Sequence, residues 1–119
     1  MDLSTKIAGD SLIVKLRGEL DMHTVPQFKE KIVEKMEKSN LKNLILNFKG
    51  VKFIDSSGLG AILGRYRYLK KRGGKVALVN LKPQVKKVFT LAGLLKIMQE
   101  YDDEGQALED VNKGGYNLE

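Results

Sequence analysis

The sequence predicts one α/β domain with a mixed β-sheet of about four to five strands and about four helices. Three observations carry that prediction. Short apolar runs alternate with segments whose apolar residues recur at helical spacing, and glycine and proline punctuate the transitions. The 119 residues with 42% hydrophobic content suffice for a single closed core. The domain is expected over residues 1–111, with 112–119 as a flexible tail.

Lys6 to Ala8 and Ser11 to Arg17 read as two short strands around Gly9-Asp10, with Leu12, Val14 and Leu16 alternating against polar neighbours, so an antiparallel hairpin starts the fold. After Gly18-Glu19-Leu20-Asp21, the segment Thr24-Val25-Pro26-Gln27 has the spacing of a capping box, and Val25, Phe28, Ile32 and Met36 then follow one helical face. Leu44 to Phe48 is an apolar run suited to a central strand covered on both sides. A second helix begins after Asp55-Ser56-Ser57; Leu59, Ile62, Leu63, Tyr66 and Leu69 form its apolar stripe, and Gly73-Gly74 stops it. Val76 to Val79 is another buried-type strand, and Pro83 opens a short third helix carrying Val85, Val88, Phe89 and Leu91, which Gly93 closes. Leu95 to Met98 is expected as a last short strand. Glu104 to Val111 is expected as a final helix, with Ala107, Leu108 and Val111 inward and Asp102-Asp103 near its positive end.

The formal charge is +6, and Arg65, Arg67, Lys70, Lys71 and Arg72 form the densest basic stretch. Lysine and arginine are nonetheless spread over nearly every segment with acids interleaved, and no stacking platform is expected among them, so direct nucleic-acid binding is not expected. With no cysteine and one histidine, neither a disulfide framework nor a thiolate or His-rich metal site is available. The longest apolar run is far short of a membrane span and the N-terminus lacks the pattern of a signal peptide, so a cytoplasmic protein with no membrane partner is expected.

The most informative segment is Phe53-Ile54-Asp55-Ser56-Ser57-Gly58-Leu59, which places two hydroxyls where a buried strand ends and a helix begins. Unpaired N–H groups and the partial positive charge of a helix opening would hold a phosphate attached to a serine there. Other chemistries fail on spacing. A nucleophile elbow needs glycine two residues before the serine, where Ile54 and Asp55 stand, and a Ser57/His23/Asp21 triad would rest on a lone histidine beside a helix start. The glycines of Gly58-Leu59-Gly60-Ala61-Ile62-Leu63-Gly64 are one residue too long at the last spacing for a dinucleotide fingerprint, and Gly74-Lys75 lacks the flanking residues of a phosphate loop. Asp55 resembles the phosphoacceptor of a receiver domain, but no acidic pair follows the first strands to hold Mg²⁺, and the residue reads more simply as a cap or contact. No catalytic residue, cofactor or metal is expected; a regulatory binding module is favoured over a serine-dependent or nucleotide-binding enzyme.

Gly18-Glu19-Leu20-Asp21, Leu44-Ile45-Leu46-Asn47-Phe48 and Phe53-Ile54-Asp55-Ser56-Ser57-Gly58-Leu59-Gly60 together resemble the STAS domain of anti-sigma factor antagonists. Ile62-Leu63-Gly64-Arg65-Tyr66, Val85-Lys86-Lys87-Val88-Phe89 and Gly93-Leu94 are similar to the sporulation branch, the anti-sigma-F factor antagonists. The resemblance covers Leu12 to Met98 and implies a partner-switching regulator that is not an enzyme. In that family the unphosphorylated antagonist binds an anti-sigma factor that is also a serine kinase and so frees the sigma factor. The kinase then phosphorylates one serine of the antagonist, and a PP2C-type serine phosphatase reverses this. By motif position that serine is Ser57, with Ser56 the adjacent alternative that residue physics does not separate. Asp21 resembles a partner-contact position and reads equally well as a cap for the first helix. Asp55, Ser56, Gly58, Leu59 and Gly60 complete the expected contact surface, the glycines leaving room for a partner's backbone and Leu59 sharing core and contact roles. A phosphate there is expected to act at the surface and not by unfolding, on a chain that is a monomer when free. A general stress-response antagonist is the alternative branch.

Overall fold

A computed structural model describes residues 1–113, and in it five strands form one mixed sheet in the order β1-β2-β3-β4-β5. β1 (Asp2–Ala8) and β2 (Ser11–Leu20) make the antiparallel hairpin, with Ala8 opposite Ser11 and Gly9, at φ 60°, supplying the left-handed turn. β3 (Asn43–Ile54), β4 (Val76–Val79) and β5 (Gln99–Tyr101) continue the sheet in parallel pairs from β2 onward. The helices α1 (Val25–Lys38), α2 (Ser56–Lys70), α3 (Pro83–Leu91) and α4 (Glu104–Lys113) complete the expected α/β domain.

The central strand β3 is buried on both faces because its side chains alternate between two apolar layers. Leu44, Leu46 and Phe48 share the larger core with Phe28 and Ile32 of α1, Ile62 of α2 and Phe89 of α3. Phe48 and Phe89 meet there edge to face, with ring centroids 5.5 Å apart. Ile45 points the other way, joining Ile13, Ala77 and Val79 beneath Ala107 and Val111 of α4.

Several expectations are corrected. The second strand does not end at Arg17: Glu19 pairs with Phe53 and Leu20 with Ile54, carrying β2 to the same rim as β3. The capping box at Thr24 does not form, since the Thr24 side chain makes no cap bond and Gln27 Nε2 donates to the Met1 carbonyl at 3.0 Å instead. Leu95 to Met98 is not a strand. Leu94–Lys96 forms a 3₁₀ turn, and the N–H groups of Ile97 and Met98 both donate to the Leu94 carbonyl, at 3.2 and 2.9 Å. Leu94, Ile97 and Met98 therefore turn inward at helical spacing, and the strand starts one residue later, at Gln99. Of the apolar residues that α3 carries, Val85 and Phe89 define the buried face, and Leu91 is 79% exposed. α4 continues past Val111 to Lys113; the remainder of the expected tail lies outside the described residues. Among the described residues, no helix is long and apolar enough to cross a membrane.

Candidate functional site

Because β2 and β3 are parallel and end in register, the helices that follow them open side by side at one rim of the sheet. Asp55 holds that rim together. Its extended backbone stops β3, and its Oδ1 accepts the Gly58 N–H at 3.0 Å as the N-cap of α2. Its Oδ2 accepts the Met22 N–H at 3.2 Å from the β2–α1 turn, and its own N–H donates to the Leu20 carbonyl at 3.2 Å. One carboxylate thus caps α2 and fixes a turn remote in sequence.

Asp21 organises that turn in the same way. Its Oδ1 accepts the N–H groups of His23 and Thr24 at 2.9 and 3.1 Å, while the Thr24 hydroxyl accepts the Asp21 N–H at 3.0 Å and donates to the Glu19 carbonyl at 2.8 Å. Partial burial pushes the Asp21 carboxyl upward. The backbone N–H groups of Thr24 and His23, the Thr24 hydroxyl and the neighbouring His23 charge together outweigh this and hold it below its ordinary value. Asp21 thus satisfies the amides of the turn just ahead of α1, whose own first turn takes no side-chain cap.

Ser56 and Ser57 are the first two residues of α2, both exposed, and because Asp55 does the capping neither hydroxyl is needed for it. Ser57 turns toward α1, where it shares a groove with Val25 and Gly60. Gly58 does not offer room to a partner as expected. It is buried, and a Cβ on it would lie 2.5 Å from the Leu20 carbonyl oxygen and 2.8 Å from Ile54 Cγ1. Its missing side chain lets α2 sit directly on β2. Gly60 is exposed, and a Cβ there would meet nothing within 4 Å; Leu59 is half-buried against the larger core. Beside the serines stand two residues that sequence reasoning missed, Met22 at 64% and Phe53 at 49% exposure. Their signal was available: each is a large apolar residue where a turn or strand end facing water would ordinarily be polar.

Among the described residues, no cluster of His, Cys, Asp or Glu could hold a metal ion. On α2 the basic stretch does have aromatic neighbours: Arg65 and Arg72 lie 4.6 and 3.7 Å from the Tyr68 ring centroid and Lys70 lies 5.6 Å from that of Tyr66. These rings are engaged by the protein's own cations and do not make an open stacking platform.

Comparison with known proteins gives a consistent result. The STAS-domain family model matches residues 2–107. The chain is 40% identical over 100 residues to an anti-sigma F factor antagonist of Paenibacillus polymyxa, covering 84% of this chain and 86% of that protein. It is 31% identical over 98 residues to the anti-sigma-B factor antagonist of Bacillus subtilis, covering 82% and 88%. A solved structure of the Bacillus cell fate determinant SpoIIAA in the phosphorylated form superposes with a TM-score of 0.73 at 33% identity, covering 92% of this chain and 99% of that one. A structure from Thermotoga maritima, described as a putative anti-sigma factor antagonist, superposes with a TM-score of 0.86 at 28% identity, covering 92% and 94%. With a family model spanning nearly the whole described chain and relatives alike along most of their own length, this chain belongs to the STAS-domain anti-sigma factor antagonists.

Proposed function

We propose that this antagonist binds an anti-sigma factor serine kinase through the rim formed by the β2–α1 turn and the first turn of α2, releases a sporulation sigma factor, and is switched off by phosphorylation within Ser56-Ser57. The observation that carries the reading is the pair of exposed hydroxyls on a helix opening already capped by Asp55, beside exposed Met22 and Phe53. Asp21, Asp55, Leu59 and Gly60 shape the same surface, with Gly58 seating the helix beneath it.

A phosphoserine adds about −1.5 to −2 charges at a helix N-terminus that favours anions, so the fold tolerates it while the contact surface gains negative charge. A dianion placed against an apolar partner patch lowers affinity by about 30- to 1000-fold, or about 2 to 4 kcal/mol. Motif position implies Ser57. Ser56 stays the adjacent alternative, since both serines are exposed and Ser57 borders the groove beside α1. A PP2C-type phosphatase would restore binding, and the free chain acts as a monomer.

The test is intact and fragment mass after incubation with an anti-sigma-F kinase and Mg-ATP, on the native chain and on Ser56→Ala and Ser57→Ala. One phosphoryl group on the native chain, lost in one variant only, supports the reading and names the residue. A folded native chain left unmodified by a kinase active on its own antagonist would sink it. The similarity to the anti-sigma-B factor antagonist favours a second reading, a stress-response partner; exclusive modification by a kinase of that branch would select it.

A further inference from the structure

α1 and α2 leave between them a groove of about 400 Å³, a volume suited to a small molecule. Its apolar floor is Val25, Phe28 and Ile32 from α1 and Ala61 from α2. The α2 wall is cut low by Gly60 and Gly64, where a Cβ would meet nothing within 4 Å. Two charged side chains line it, Lys29 and Arg65, both cationic, and no carboxylate does. Arg65 is stacked on Tyr68, and its Nη1 is closed off from solvent without a hydrogen-bond partner among the described residues. Buried guanidinium donors are ordinarily paired, and one left open is unfavourable. Arg65 also borders the hollow beyond, where Asp10 and Glu37 stand, yet neither takes this donor.

We propose that the groove is a binding site for a small amphipathic anion, an unbranched apolar chain of medium length with a carboxylate head. The chain lies on the Val25–Phe28–Ile32 floor, and the head pairs with Lys29 and with the Arg65 guanidinium, which turns toward the groove to bring its enclosed, unpaired Nη1 within reach. The charge of the lining sets the sign of the ligand, and the unpaired Arg65 donor gains a partner when the guanidinium turns to the head. Ser57 borders the same groove, so a phosphate on it would compete with the head for Lys29 and Arg65, and the unphosphorylated chain is the form that binds.

The test titrates the ¹⁵N-labelled full chain with decanoate and, separately, with decanol as the uncharged counterpart. Amide shifts should concentrate at Lys29, Gly60, Gly64 and Arg65, with millimolar or tighter affinity for decanoate and binding of decanol weaker by at least about fivefold. Gly64→Leu, which fills the groove from an open helix position, should abolish binding; Gly60→Leu serves if that variant does not fold. Replacing both cations, Lys29→Gln with Arg65→Gln, should bring decanoate down to the level of decanol. Shifts scattered over the surface, equal binding of decanol, or undiminished binding by a folded filling variant would each overturn the proposal.

Discussion

Gly58→Ala is the substitution that most directly probes how the rim is built. The added Cβ would lie 2.5 Å from the Leu20 carbonyl oxygen, 2.8 Å from Ile54 Cγ1 and 3.0 Å from Leu20 Cγ, where ordinary contact begins at 3.4 Å. The nearest of these atoms is backbone in the β2–β3 ladder and cannot rotate away, so the first turn of α2 must lift by several tenths of an ångström. Alanine is intrinsically better than glycine in a helix by about 0.5 to 1 kcal/mol. Overpacking of a closed contact opposes this by about 1 to 3 kcal/mol, and a weakened Asp55 cap adds about 1 kcal/mol. The net expectation is a loss of about 1 to 3 kcal/mol. Gly60→Ala is the matched control: two residues along the same helix, with no neighbour within 4 Å, it should gain about 0.5 to 1 kcal/mol. Urea unfolding followed by far-ultraviolet circular dichroism on the full chain reads both. A Gly58→Ala protein as stable as the native one, or a Gly60→Ala protein equally damaged, would refute the reasoning.

Three further outcomes are expected. Asp55→Ala removes the cap of α2 and the acceptor of the Met22 N–H, so stability should fall by about 1 to 2 kcal/mol and the Met22 and Gly58 amides should exchange faster with deuterium. Asp21 is held below its ordinary value of 3.8, so its bonds stabilise the fold above the carboxylate range and lose effect as acidity carries the pH down through the folded value. The stability gap between the native chain and Asp21→Ala should therefore shrink below pH 3.8, and a gap independent of pH there would contradict it. Replacing Met22 and Phe53 together by serine should leave stability within about 1 kcal/mol of the native chain while weakening capture of the anti-sigma factor by about tenfold or more; unchanged capture would remove this apolar pair from the contact.

Where a segment buried one clear face, the sequence was a sufficient guide: the Phe28, Ile32 and Met36 stripe of α1 and the two-sided run of β3 are as expected. Short windows misled. Leu94, Ile97 and Met98 lie so close that helical and extended spacing cannot be told apart until Gly93 and the 3₁₀ turn decide it. At the site, the Asp55-Ser56-Ser57 junction was legible because strand end, cap and helix start are consecutive. The role of Gly58 was not, since a glycine that admits a partner and one that admits Leu20 look alike in one dimension. Met22 was legible as an apolar residue in a turn, but its place beside the serines was not: it reaches them through a bond to Asp55, 33 residues along the chain.

Under the proposed switch, that long-range bond sets what a kinase would meet. The amide of Met22 and the cap of α2 share a single carboxylate, so a synthetic peptide copied from the serine-bearing segment would carry both hydroxyls and the aspartate but no β2–α1 turn. Such a peptide presents one half of a two-part epitope, without the helix that the sheet holds in place. A kinase of the proposed kind should ignore the linear fragment, and inhibitors patterned on the motif alone should compete poorly with the folded domain.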